Sequence, residues 1–320
     1  MPDATARLRA AALAMLVTFL WSTSWVLIKH GLDDLPPITF AGIRYGLAAL
    51  ILVTWTSTGT RRGVLRSLDR ASVWPLVGLG AVMYALTQGA QFVAIDSQPF
   101  ATTNLMLAMT PLVVALSSAL LLSEHTTTLQ RVGGVVIVAG VAAYFAGDLG
   151  ATRVGMAAAT IGLIANAGAA MLGRSINRST ALSPTVVTTV SMSVGAVMLF
   201  ATGLALDGLP RIPLGAAAIL LWLAVVNTAA AFTWWNHAQR SLTATEAAAI
   251  NTTMAVQIPI LGWIFFDERL GAAEIIGITL MVIGVLTMRA RNTPGRASRA
   301  VAARGPKGGG EVEGLAVVDE

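Results

Sequence analysis

Long apolar runs alternate along the chain with short polar connections. Ten such runs can be counted, at residues 10–29, 37–56, 73–93, 100–122, 131–147, 154–173, 184–206, 215–236, 245–266 and 273–289. A helix of about 20 apolar residues crosses roughly 30 Å of hydrocarbon, so each run predicts a transmembrane helix. The connections hold the chain breakers, in DDLPP, STGTRR, DSQP, GDLG and DGLPRIP. The first run is longer than the apolar stretch of a signal peptide, and no small-x-small cleavage site follows it. It reads as an uncleaved first helix. Residues 290–320 are rich in Arg, Gly, Pro and Ala without periodicity, which predicts a disordered tail.

Composition agrees with a membrane solvent. Apolar residues make up 55% of the chain and charged ones only 12%, against about 25% in soluble domains; mean hydropathy is +0.73. The sequence pI of about 10.4 does not imply nucleic acid, because the basic residues lie between apolar runs and not on a soluble domain. Their distribution sets the orientation. With the N-terminus inside, 16 Lys and Arg fall on the cytoplasmic side and 4 on the other; the remaining one of the 21 is Arg44, inside a span. That predicts N-in, C-in. Arginine outnumbers lysine 19 to 2, a composition of GC-rich bacterial genomes, so the expected location is a bacterial inner membrane. The absence of cysteine excludes disulfides and thiolate metal sites.

A self-comparison finds a repeat. Sliding the chain by 144 residues sets LLLSEHTTTLQRVGGVVIVAGV on IFFDERLGAAEIIGITLMVIGV. Glu124 meets Glu268, Gly133 meets Gly277 and Gly140 meets Gly284; a slide of 147 sets Pro37 on Pro184. Each copy holds five helices, at 10–147 and 154–289. Five is odd, so the second copy inserts upside down. The expected fold is therefore all-α, with ten transmembrane helices as two inverted five-helix repeats. Inverted repeats are a transporter architecture with a site near the midplane.

The run WSTSWVLIKHGLDDLPPITFAGIRYGLAAL, with TPLVVALSSALLLSEHTTTLQRVGGVVIVAG and its proline thirteen residues before the glutamate, resembles EamA-type members of the drug/metabolite transporter superfamily. The resemblance covers residues 13–289, in two copies. It departs from the pattern where Ala255 stands in the position of Pro111, with the proline four residues later at Pro259. It implies a ten-helix carrier, typically an exporter of metabolites, with helices 1, 3, 4, 6, 8 and 9 around a cavity and helices 5 and 10 at the periphery. Amino acids, nucleosides or amphipathic drugs fit as cargo, and a passive uniporter stays open beside a coupled exporter.

Individual residues carry the chemistry. Arg44 is a charge inside a span, costing about 2.5–3.5 kcal/mol unless it faces protein or water. It either clamps helices by pairing with a carbonyl or binds an anionic group of the substrate. Tyr84, Gln88 and Gln91 share one face of helix 3 and read as the lining of a wet path. On helix 9, Thr253 and Gln257 are in phase with Glu246, a first-turn carboxylate favoured by the helix dipole, and Asn251 lies close by. Helix 4 offers Thr103, Asn104 and Thr110 before Pro111, which frees carbonyls a cavity can use. Trp21 and Trp25 share a face and either pack or bound a substrate. Arg44, Trp21, Tyr84, Gln88, Gln91, Asn104, Asn251 and Gln257 are the candidate substrate contacts. Glu124 and Glu268 sit at the membrane surface, each to cap a helix or pair across a turn. Gly133, Gly140, Gly277 and Gly284 form close-packing faces on helices 5 and 10 that permit a homodimer.

What is missing narrows the function. No span carries a central carboxylate, which weakens a proton relay. No histidine or acidic cluster fits a metal, and no nucleophile or phosphate loop appears, so neither a cofactor nor enzymatic chemistry is expected. A sensor would bring a soluble domain, and only the tail is available. The expected partners are a small-molecule substrate and membrane lipids.

Overall fold

A computed structural model of the protein describes residues 4–58, 70–121, 127–147, 150–179, 182–239, 241–242 and 244–289. The predicted tail at 290–320 and Glu124 lie outside these residues. The described chain is helical, without strands. Four helices are α1 (Ala4–Leu32), α2 (Pro37–Ser57), α3 (70–97) and α4 (100–121). They are followed by α5 (Thr128–Tyr144), α6 (Arg153–Ser179) and α7 (Pro184–Asp207). The last three are α8 (214–239), α9 (244–266) and α10 (Ala272–Arg289). Among the described residues, seven helical stretches are long and apolar enough to cross a membrane; Thr128–Tyr144, Leu214–Ala230 and Ala272–Met288 are shorter apolar helices. Helices run past the apolar runs because backbone pairing continues beyond the hydrocarbon, as where α1 starts at Ala4.

Pro37 and Pro184 have the same role. Each opens its helix at the first turn, where no N–H is needed. The two helices then pack on one another. A Cβ added at Gly42 would come within 2.7 Å of the Phe200 backbone, and one at Gly203 within 2.8 Å of the Thr39 Cα. Residue numbers rise on α2 as they fall on α7, so the pair is antiparallel. The repeat glycines form a second seam of the same kind. Gly133 faces the Gly284 carbonyl at 2.6 Å from an added Cβ, and Gly140 faces the Gly277 carbonyl at 2.7 Å. Gly277 and Gly284 return the same contacts to Gly140 and Gly133. These glycines therefore meet each other within the chain. The faces of α5 and α10 left outward carry Val135 and Ile276.

Further correspondences escape the amino-acid pattern. Gly80–Leu86 in α3 and Val225–Ala230 in α8 are both π-helical. In each case a threonine hydroxyl caps a carbonyl five residues back, Thr87 to Val82 and Thr228 to Leu223, both at 2.8 Å. α4 breaks at Met109 and α9 at Thr253, a separation of 144 residues. The second break keeps its register although Ala255 replaces the proline, so proline alone does not set it.

The main apolar core joins α1, α2, α3, α7 and α8 through Trp25, Phe40, Phe92, Met192 and Leu223. Outward surfaces are greasy: Leu50, Trp74, Val135 and Leu214 are all exposed. Lipid is the solvent that such a surface fits.

Candidate functional site

Two cavities adjoin inside the bundle. The larger, about 490 Å³, is bounded by Trp25, Gln91, Asn104, Thr110, Asn166 and Asn251 among others. The smaller, about 360 Å³, is lined by Tyr84, Ser191 and Phe232. Asn166 and Ala170 on α6 line both. The polar groups of the larger cavity are amides and hydroxyls, with no charged residue among those lining it.

Prolines in the helical segments after the breaks supply part of this polarity. Pro259 has no N–H, so the Ala255 carbonyl lacks a helical partner. Asn104 reaches across from α4 and donates its Nδ2 to that oxygen at 3.3 Å. On α4, Pro111 frees the Leu107 carbonyl, and Thr110 donates to it at 2.5 Å. Asn166 then donates to the Thr110 hydroxyl at 3.0 Å. One chain of hydrogen bonds thus runs from α6 to the α4 break, and a second contact ties α4 to α9. Sequence reading passed over Asn166. Its signal was a single mid-span amide on helix 6, at the position that the 144-residue slide sets on Ser22.

The expected residues divide. Gln91, Asn104 and Asn251 meet at the larger cavity, and Tyr84 lines the smaller one. Gln88 accepts from the Tyr45 hydroxyl at 2.6 Å, tying α2 to α3. Gln257 accepts from Ser22 at 2.8 Å and donates to Thr253 at 3.0 Å, beside the α9 break. Trp21 donates to the Asn227 carbonyl at 3.1 Å and packs against Phe232 and Trp235. Arg44 is buried, 6% exposed, and is absent from the lining of both cavities. Its guanidinium reaches the Thr228 hydroxyl at 3.4 Å and lies over the rings of Tyr45 and Phe92 at 5.3 and 5.9 Å. α10, expected at the periphery, contributes Met281, Val282 and Val285 to the cavity wall, because its glycine seam with α5 leaves another face turned inward.

The model of the EamA-like transporter family matches residues 8–146 and again 153–290. The chain belongs to the EamA-like transporter family. It is a multi-pass membrane protein, and its curated relatives are named as transporters. It is 25% identical to the uncharacterized transporter YoaV of Bacillus subtilis (strain 168), over 84% of this chain and 92% of that one. It is 22% identical to an S-adenosylmethionine/S-adenosylhomocysteine transporter of Chlamydia trachomatis serovar D, over 86% and 87%. A probable terminal-alkyne amino-acid exporter of Streptantibioticus cattleyicolor is 25% identical over 91% and 99%. A solved crystal structure, 19% identical, superposes with a TM-score of 0.60 over 88% of this chain and 97% of its own, which shows a shared fold.

In this EamA-like chain the turn from α9 into α10 packs on the start of α4. Asp267 takes the left-handed conformation (φ 52°) that ends α9 and turns the chain back. The next residue, Glu268, accepts from the backbone N–H groups of Phe100 at 3.0 Å and Ala101 at 3.4 Å, capping α4. The capping role expected of Glu268 is realised across the two copies of the repeat, not within its own turn. Phe266 packs edge-on against Phe100 at 5.0 Å. Burial raises the Glu268 carboxyl above the ordinary value of 4.5, against the lowering effects of those two amides and Lys29. The folded protein therefore binds this proton more tightly than the unfolded chain. The resulting stability is full below about pH 4.5 and is lost as pH rises through the raised value. The melting temperature should fall across that window, and Glu268→Gln should flatten the slope. Equal slopes in both proteins would contradict this assignment.

Proposed function

We propose that the protein is a bacterial inner-membrane exporter of small polar metabolites such as amino acids, working by alternating access. Ten crossings, N-in and C-in, form two inverted halves at 10–147 and 154–289, and the joined cavities hold the solute between them. The observation that carries this reading is the meeting of Asn104, Asn166 and Asn251, from three helices, at one uncharged polar cavity beside matched helix breaks. Antiparallel pairing of α2 with α7 and of α5 with α10 supports the inverted halves, as does the double family match. Basic residues set the orientation.

Amides and hydroxyls suit the neutral and zwitterionic groups of amino-acid compounds, and the name of one relative prints an amino acid as its cargo. Of the two roles open to Arg44, its contacts support the clamp: the Thr228 hydroxyl ties α2 to α8, and the Phe92 ring face ties it to α3. A homodimer through α5 and α10 would use their outer faces, Val132 and Ile276 among them.

Counterflow in proteoliposomes loaded with a pool of amino acids and nucleosides tests the function. Uptake of labelled solute of one class is expected. In Arg44→Gln the KM should stay within about twofold while thermal stability drops, because a clamp acts on the fold; a KM raised tenfold would make Arg44 a substrate ligand. A protein that moves none of the pool would overturn the proposed cargo class.

A further inference from the structure

A pair of apolar grooves lies away from the solute cavities, on the flanks of the bundle. One, about 510 Å³, runs between α9 and α10 and is lined by Val256, Ile260, Trp263 and Ile278, with Arg269 at its end. The other, about 420 Å³, runs between α4 and α5 and is lined by Leu112, Leu116, Gly134 and Val138, with Arg131 at its end. The two are copies. Sliding by 144 residues sets Leu112 on Val256, Ala115 on Pro259, Leu116 on Ile260, Gly134 on Ile278 and Val135 on Thr279, and each of these ten residues lines its groove.

Depth and charge identify the occupant. From Val256 to the end of α9 at Phe266 is ten residues, or about 15 Å at 1.5 Å per residue. That is half of a roughly 30 Å hydrocarbon layer, the reach of one leaflet. Arg269, in the connection between α9 and α10, and Arg131, in the first turn of α5, are both exposed. Arg269 pairs with Asp267 through Nε at 3.3 Å. Such an exposed pair is weak, so a phosphate can share the guanidinium.

We infer that each groove holds one acyl chain of an anionic phospholipid, with its headgroup phosphate on Arg269 in one groove and on Arg131 in the other. The two lipids would belong to opposite leaflets, a placement that rests on the inverted halves proposed above; the binding itself does not. α9 and α10 each also line the solute cavity, through Asn251, Ala255, Met281 and Val285. A lipid chain wedged between them bears on the same two helices that enclose the solute.

The test is native mass spectrometry of the purified full chain, equilibrated with phosphatidylglycerol or with phosphatidylcholine. Two retained phosphatidylglycerols are expected, and Arg269→Gln and Arg131→Gln should each weaken one by about fivefold, the value of one surface cation on anionic lipid. Thr279→Trp, which fills the first groove and leaves Arg269 in place, should expel one lipid. Arg153→Gln, outside both grooves, should change nothing. Equal retention of the two lipids, or retention unchanged in both arginine variants, would overturn the proposal. Counterflow on the same preparations reports separately on transport.

Discussion

Leucine in place of Asn104 should reduce solute uptake at least tenfold while leaving a folded carrier. Asn104 does two things at one place: it lines the larger cavity and it satisfies the Ala255 carbonyl that Pro259 leaves free. Removing the amide leaves a buried acceptor unpaired, at a cost of about 1–3 kcal/mol. It also removes a polar group from a cavity that has no charged group to replace it. The helix break at Thr253 persists, since the backbone bond from Val256 to the Thr253 carbonyl is local. Counterflow beside thermal unfolding checks the result. Normal uptake by Asn104→Leu would remove this cavity from the transport path.

The second large effect belongs to the glycine seam. Gly140→Ala adds a Cβ that meets the Gly277 carbonyl and the Met281 nitrogen, both at 2.7 Å, and these are backbone atoms that cannot rotate away. The helices must separate, at about 1–3 kcal/mol for overpacking. Because a small residue permits the close approach of helices in lipid, larger side chains should cost more. Gly277→Ala strikes the same contact from the other helix, so the double variant should cost less than the sum of the two. Thermal unfolding in detergent measures all three. Wild-type stability in Gly140→Ala would mean that α5 and α10 do not pack this closely.

The helices were legible because hydropathy reports solvent: a run that must face hydrocarbon declares itself in composition. Self-comparison found the repeat for a similar reason, since Gly133 and Gly277 occupy one backbone environment in two copies. Partners were harder to read. The glycines marked faces, but only the folded chain joins α5 to α10. Likewise the polar stripes named Gln88 and Gln257, whose amides turn out to tie helices together, alongside Gln91 and Asn251, which line the cavity. One-face spacing does not tell which neighbour a face meets. The π-helical segments and the break at Thr253 left no mark, because each is set by packing and by threonine hydroxyls, not by a breaker residue. Asn166 was missed for the opposite reason: it is the single amide of the apolar run 154–173, without a stripe to draw notice.

The solute site should face one side of the membrane at a time. The chain has no cysteine, so a single Ala170→Cys, in the wall shared by both cavities, can be labelled without background. Impermeant maleimide would be applied from either face of oriented vesicles, with and without the solute found by counterflow. Labelling should occur from both faces, shift in its balance when solute is present, and be slowed by bound solute. Labelling from one face only, at a rate that solute leaves unchanged, would contradict alternating access at this cavity.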